Sequence, residues 1–287
     1  MRRLSVLLFL GLAAVACGDD EAAAPANHDR DPGEPVNERR SYGSDPLQFG
    51  DLAVPAGDGL FPVVVFIHGG FWRNSFELDL AEPQAADAVD NGYATWNIEY
   101  RRVGDEGGGY PGTLADVAAA IDHLVVLAEN HPLDLERVAV VGHSAGGHLA
   151  LWVGQRERLP DGAPGEKPSV VPRLVVGQAP VADLSGNLDL GRGAVSGFMG
   201  ATPDNDPVAY DIADPARLLP VRVPQLIVQG AADSIVPPDR ADAYAARADT
   251  DQLDVMLFAD AGHFDVIDPA HESWAAVLSR LEVALAG

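Results

Sequence analysis

Between residues 138 and 152 the chain reads VAVVGHSAGGHLALW, passing from a short apolar, valine-rich run through glycine and serine into an Ala- and Leu-rich stretch. The run 138–141 has the character of a strand buried on both faces. The residues after Ser144 are poor in β-branching and suit a buried helix. Between them, Gly142-His143-Ser144-Ala145-Gly146 fits G-x-S-x-G. A strand that turns abruptly into a helix needs small neighbours, because larger side chains two positions either side of the corner would collide. Ser144 is then expected at a strained corner with its hydroxyl pointing outward. An ordinary serine in a glycine-rich turn would satisfy the same five letters. The rest of the chain has to decide.

Strand-like and helix-like segments alternate along most of the sequence. Apolar, strand-like runs fall at 48–54, 62–67, 94–98, 138–141, 174–178, 225–229 and 254–258. Helical patterns occupy 78–91, 114–129, 144–156, 240–248 and 271–286. Such alternation predicts an α/β fold, with a mostly parallel central sheet and helices on both faces. Right-handed crossovers bring the C-terminal strand ends to one edge, where open α/β sheets bind ligands. A nucleotide site is disfavoured, since no Gly-x-Gly-x-x-Gly opens the first βα unit and no Gly-Lys-Ser/Thr loop occurs.

The residues following those strands are chemically distinctive. After 62–67 comes His68-Gly69-Gly70-Phe71-Trp72, whose glycines let backbone N–H groups approach a developing oxyanion. Ser144 follows 138–141, Asp233 follows 225–229 within Gly-Ala-Ala-Asp-Ser-Ile-Val-Pro, and His263 follows 254–258. Serine, acid and histidine in that order suit a nucleophile–acid–base set. Asp260 competes with Asp233 but lies too near His263 in sequence to reach its ring easily. His271 competes with His263 but falls in the last helical pattern. His143 and His148 are read as packing or hydrogen-bonding partners, and His68 as a brace for the glycine loop. Trp72 is a candidate pocket residue, with core packing an equal alternative. In the Gly/Asp/Pro-rich crossover 182–221, Phe198 and Met199 are candidates of the same kind, against a plain surface crossover. Residues 155–171 read as a surface loop.

The N-terminus is built differently. Met1-Arg2-Arg3 precedes an apolar run ending Ala14-Val15-Ala16-Cys17, and Cys17 is the single cysteine in the chain. This resembles a bacterial lipobox. It implies a lipoprotein signal peptide over 1–16, lipidation of Cys17, and an exported protein held at the periplasmic or cell-surface side of a membrane. An ordinary cleaved leader is the alternative. Residues 17–40 are polar and acidic and predict a flexible tether to a folded domain at 41–287. The formal charge of −24 over 287 residues excludes nucleic acid as a natural partner. No His/Cys or carboxylate spacing suggests a metal site.

Together, HGGFW, GHSAGG, GAADSIVP and AGHF resemble the esterase/lipase and kynurenine formamidase-like branch of the α/β-hydrolase superfamily, with acetyl- and feruloyl-type carboxylesterases as relatives. Residues 97–124 resemble the segment preceding the nucleophile strand in that group. The resemblance covers roughly 42–285. It implies catalytic Ser144, Asp233 and His263, and an oxyanion hole from Gly70, Phe71 and Ala145, with Gly69 in reserve. Where a hormone-sensitive-lipase-like chain would read His-Gly-Gly-Gly, Phe71 stands here. The implied activity is hydrolysis of short acyl or acetyl esters through an acyl-enzyme, without cofactor and on a small-molecule ester. An arylformamidase or amidase with the same triad, and a non-catalytic binding lipoprotein on a hydrolase scaffold, are the alternatives. The oligomeric state is not legible.

Overall fold

The computed structural model describes residues 34–248 and 251–287. The expected leader, Cys17 and most of the expected tether lie outside the described residues. The centre of the molecule is β3 (Phe61–Ile67) beside β5 (Leu133–His143), and the sequence explains their place. In β3, Val63, Val65 and Ile67 enter one apolar cluster, while Val64 and Phe66 enter the other. In β5, Val138 and Val140 face the first cluster, and Ala139 and Val141 the second. A strand covered on both faces needs apolar residues at successive positions, so these read as continuous runs. Each fully buried valine contributes roughly 1.5–3 kcal/mol relative to exposure.

Among the described residues, eight strands form one sheet in the order β1-β2-β4-β3-β5-β6-β7-β8. The remaining strands are β1 (Val36–Ser41), β2 (Phe49–Val54), β4 (Ala94–Ile98), β6 (Leu174–Gln178), β7 (Gln225–Gly230) and β8 (Leu253–Phe258). The pairs β1–β2 and β2–β4 are antiparallel, and every other pair is parallel. Helices α1 (Glu82–Asp90), α2 (Gly112–Asp122), α3 (Leu124–Leu127) and α4 (Ala145–Val153) alternate with the first strands. The crossover between β6 and β7 carries α5 (Ala194–Met199) and α6 (Pro207–Ala213). The chain closes with α7 (Pro238–Ala248) and α8 (Glu272–Ala284). This is the α/β-hydrolase fold.

Two expectations need correction. The described residues belong to one compact unit, and β1 lies inside the stretch read as tether. Its sequence, VNERRS, buries only Val36, and its register runs from Val36 opposite Val54 to Ser41 opposite Phe49. Ion pairs hold its polar side chains, Arg39 to Asp51 at 2.7 Å and Arg40 to Glu38 at 2.9 Å. An edge strand with a wet face needs few apolar residues, so its composition mimics a linker. The segment 155–171 also does more than cross the surface. Arg156 is buried and pairs with Asp122 at 2.6 Å, pinning the segment to the end of α2.

Candidate active site

Because β3, β5, β6, β7 and β8 run parallel, the loops leaving their C-terminal ends share one edge of the sheet. Ser144 leaves β5 and caps α4 with φ 57° and ψ −114°, in the left-handed half of backbone space. A non-glycine residue persists there only where its surroundings fix it. Its N–H donates to Gln178 O at 2.8 Å, and its carbonyl accepts from His148 N at 3.0 Å. A Cβ on Gly146 would run into the backbone oxygens of Ile67 and His68, so only glycine lets α4 start this close to β3. The expected corner is present.

Asp233 and His263 meet as their loops leave β7 and β8. His263 Nδ1 donates to Asp233 Oδ2 at 2.7 Å. The other carboxylate oxygen accepts from Ile235 N at 2.8 Å and Val236 N at 2.9 Å. Burial pushes the Asp233 carboxyl up, but the His263 hydrogen bond and charge, with the two N–H donors, outweigh it and hold it below the usual range. The bond from Nδ1 leaves His263 Nε2 as the free ring nitrogen. Ser144, Asp233 and His263 are 3%, 4% and 7% exposed, so bulk water is largely kept from all three.

His143 ties the serine corner to the histidine loop. Its Nε2 donates to His263 O at 2.9 Å, and the two rings lie 4.6 Å apart. Burial pushes the His143 imidazole down to about 3, with the neighbouring His263 adding to the shift, so it is neutral at ordinary pH. No hydrogen bond joins Ser144 Oγ to His263 Nε2 in this conformation; such contacts often close only around a bound ligand. The rivals are separated from the site. Asp260 is exposed and its carboxylate lies 4.0 Å from His271, while His271 caps α8 by accepting from Ser273 N.

The turn after β3 comes against the same corner. A Cβ on Gly69 would stand 2.7 Å from His143 O and 3.1 Å from Ser144 Cβ, which makes glycine obligatory at this approach. Gly70, Phe71 and Trp72 follow with φ of 112°, 54° and 55°. The N–H groups of Gly70, Phe71 and Ala145 have no partner among the described residues; Ala145 directly follows Ser144, and Gly70 and Phe71 directly follow the glycine packed against it. That of Ala145 also sits at the positive end of α4. The Phe71 ring packs on Gly191, and Arg73 donates to Gly191 O at 2.8 Å.

Sequence reasoning read His68 as a brace for this turn but missed the residues that hold it. His68 Nε2 donates to Glu99 Oε1 at 3.0 Å, and its ring stacks on Tyr100 at 4.4 Å. Tyr100 in turn donates its hydroxyl to His68 O at 2.8 Å. Glu99 is buried and also accepts from Leu78 N, Tyr100 N and Arg102. No local pattern announces a carboxylate 31 positions from its histidine. The pocket expectation is corrected as well. Trp72, Phe198 and Met199 are all buried in the core, with Trp72 stacked on Phe198 at 4.8 Å. Their large apolar surfaces are used in packing beneath the turn. The half-exposed aromatic ring beside His263 is Phe264, at 5.2 Å.

Among the described residues, no group of histidine, cysteine and carboxylates could hold a metal ion, and no helix is long and apolar enough to cross a membrane.

Comparison with known proteins agrees with this architecture. The chain is 25% identical over 264 residues to Esterase LipC of Mycobacterium tuberculosis, covering 82% of this chain and 62% of that protein. It is 34% identical over 113 residues to a kynurenine formamidase of Meyerozyma guilliermondii, covering 39% of this chain and 40% of that one. It thus spans less than two thirds of the length of either relative. Among solved structures, a truncated carbohydrate esterase from gut microbiota superimposes with a TM-score of 0.76 at 18% identity, over 90% of this chain and 100% of that one. Esterase B of Lactobacillus rhamnosis gives 0.73 at 22% identity, over 89% and 87%. At these identities the structures establish shared fold. The BD-FAE family model matches residues 51–247, well over half of the chain, so the protein belongs to the BD-FAE family, within the esterase branch of the α/β-hydrolases.

Proposed function

We propose that this protein is a serine carboxylesterase acting on short-chain acyl or acetyl esters. The observation that carries the reading is the convergence at one sheet edge of a serine in a left-handed corner and a histidine bonded to a buried carboxylate at 2.7 Å. Ser144 Oγ attacks the ester carbonyl carbon while His263 Nε2 takes its proton. Asp233 fixes the ring so that Nε2 is the free nitrogen, and stabilises the imidazolium as it forms. The N–H groups of Gly70, Phe71 and Ala145 receive the developing oxyanion; removal of one such donor typically costs ~3 kcal/mol of transition-state stabilisation. On collapse the carbon–alkoxy bond breaks and His263 returns its proton to the leaving oxygen. A water, deprotonated by the same nitrogen, then attacks the acyl-enzyme; the acid departs and Ser144 regains its proton.

The esterase names of LipC and of the structural neighbours support ester over amide. The kynurenine formamidase similarity favours a second reading, formamide hydrolysis with the same residues. Turnover of p-nitrophenyl acetate, p-nitrophenyl butyrate and N-formylkynurenine separates the two. The carboxylesterase reading expects both esters to be cleaved with kcat/KM at least tenfold above the formamide. Preference for the formamide overturns it. We further propose that Cys17 carries a lipid anchor; metabolic palmitate labelling lost on Cys17→Ala is the expected result, and labelling unchanged by that substitution contradicts it.

A further inference from the structure

Phe71 and Trp72 are two consecutive non-glycine residues in left-handed conformation, at φ 54° and 55°. Such residues are strained and need surroundings that over-determine them. For Trp72 those surroundings are visible. Its indole is 1% exposed and stacks on Phe198, with 19° between the ring planes. Its carbonyl accepts from Val103 N at 2.8 Å. Its Nε1–H donates to His148 Nδ1 at 3.2 Å.

His148 stands one helical turn beyond Ser144 on α4, and its ring is fully buried. Its second nitrogen, Nε2, lies 2.9 Å from Ala213 O at the end of α6. A carbonyl only accepts and an indole N–H only donates, so the two partners fix the tautomer: hydrogen on Nε2, a bare lone pair on Nδ1. Burial pushes this imidazole down to about 4, which keeps the lone pair available at neutral pH. One side chain therefore links three segments: the helix begun by the serine, the turn that carries the N–H donors, and the β6–β7 crossover. Phe71 N–H lies in the Gly70–Phe71 peptide, one residue upstream of Trp72, so a shift of the Trp72 backbone reaches it through the left-handed torsions of Phe71.

We propose that Trp72 and His148 are positioning residues for the oxyanion hole. Their Nε1–H···Nδ1 bond holds the left-handed turn so that the N–H groups of Gly70 and Phe71 converge with that of Ala145. Neither side chain touches substrate. The inference rests on the serine-hydrolase reading and goes beyond it, since an oxyanion hole does not by itself require either residue.

Trp72→Phe keeps an aromatic ring for Phe198 and removes the N–H. His148→Phe keeps buried volume and removes the acceptor. If the pair positions the hole, either change lowers kcat for p-nitrophenyl acetate by about 10- to 100-fold, the range for a roughly 1 Å misplacement of catalytic groups. KM should stay within about twofold. The Ki of an aryl trifluoromethyl ketone, which forms a tetrahedral oxyanion on serine, should rise by the same factor as kcat falls. Unchanged kcat with lowered thermal stability would overturn the proposal and leave the pair as packing. So would a fall in kcat without movement of that Ki. If neither variant folds, ¹⁵N NMR of the wild-type histidines at pH 7 decides: a bare Nδ1 and protonated Nε2 on His148 support the link, and the opposite tautomer overturns it. Failure of the underlying reading looks different. Wild-type protein would then neither hydrolyse the ester nor form the ketone adduct, and the positioning role would fall with it.

Discussion

The corner after β5 and the turn after β3 face each other across the same site, and each holds non-glycine residues in left-handed conformation. They are secured by different means. At Ser144 the restraint is backbone against backbone: Gly142 and Gly146 have no room for a Cβ because main-chain oxygens of neighbouring segments occupy the space. At Phe71 and Trp72 the restraint is a set of side chains brought from afar. Glu99 and Tyr100 hold His68, His148 and Phe198 hold Trp72, and Gly191 packs on Phe71. The first arrangement is rigid by exclusion. The second depends on buried hydrogen bonds and can be loosened one contact at a time.

The largest expected effect comes at the excluded-volume corner, which holds the proposed nucleophile. Ser144→Ala should lower ester turnover by about 10⁴-fold or more while the melting temperature stays essentially that of wild type. Retained activity would break the assignment of that corner as the reactive one. At the same corner, Gly146→Ala forces a methyl group into the oxygens of Ile67 and His68. Overpacking of this kind costs about 1–3 kcal/mol or more, and urea melts should show the loss together with a loss of labelling at Ser144.

At the opposite turn the loss should be graded. Glu99→Gln replaces an acceptor of four donors with a group that must itself donate, and takes from Arg102 one of its two carboxylate partners, Asp105 being the other. Breaking a buried pair in this way costs about 3–5 kcal/mol, but the variant should keep measurable esterase activity once folded at low temperature. Complete inactivity in a folded Glu99→Gln protein would mean that the two regions are not restrained independently.

A further effect is a pH dependence of stability. His148 and His143 are held by burial at about 4 and about 3, below the ordinary 6.5. Between those values and 6.5 the unfolded chain binds protons that the folded chain refuses. Stability is therefore full above 6.5 and declines as the pH drops toward 4. Melting temperature should fall across that window, and fall less steeply in His148→Gln. A flat profile from pH 6.5 to 4 would contradict the buried, neutral state of both rings.

The same contrast explains what could be read from the amino-acid sequence. The Ser144 corner is announced by glycines two positions away, because the sterics that make it are local. Asp233 and His263 were legible from their places after strand-like runs, since a parallel sheet brings those ends together. His68 was legible as a brace for the β3 turn, but the pairs that support the turn were not. Glu99 and His68 are 31 positions apart, and Trp72 and His148 are 76 apart, with nothing between them that marks a pair. The aromatic residues Trp72 and Phe198 read equally well as pocket or core, because size and apolarity serve both. Strand β1 was hidden by its polarity: an edge strand paired through its backbone and surface ion pairs carries the composition of a linker.

The most direct measurement is the intact mass of the protein after reaction with a fluorophosphonate probe, followed by peptide mapping. A single adduct on Ser144, blocked by prior treatment with the trifluoromethyl ketone and lost in Ser144→Ala, is the expected result. Absence of an adduct on active, folded protein, or an adduct on any other residue, would contradict the assignment of Ser144 as the nucleophile.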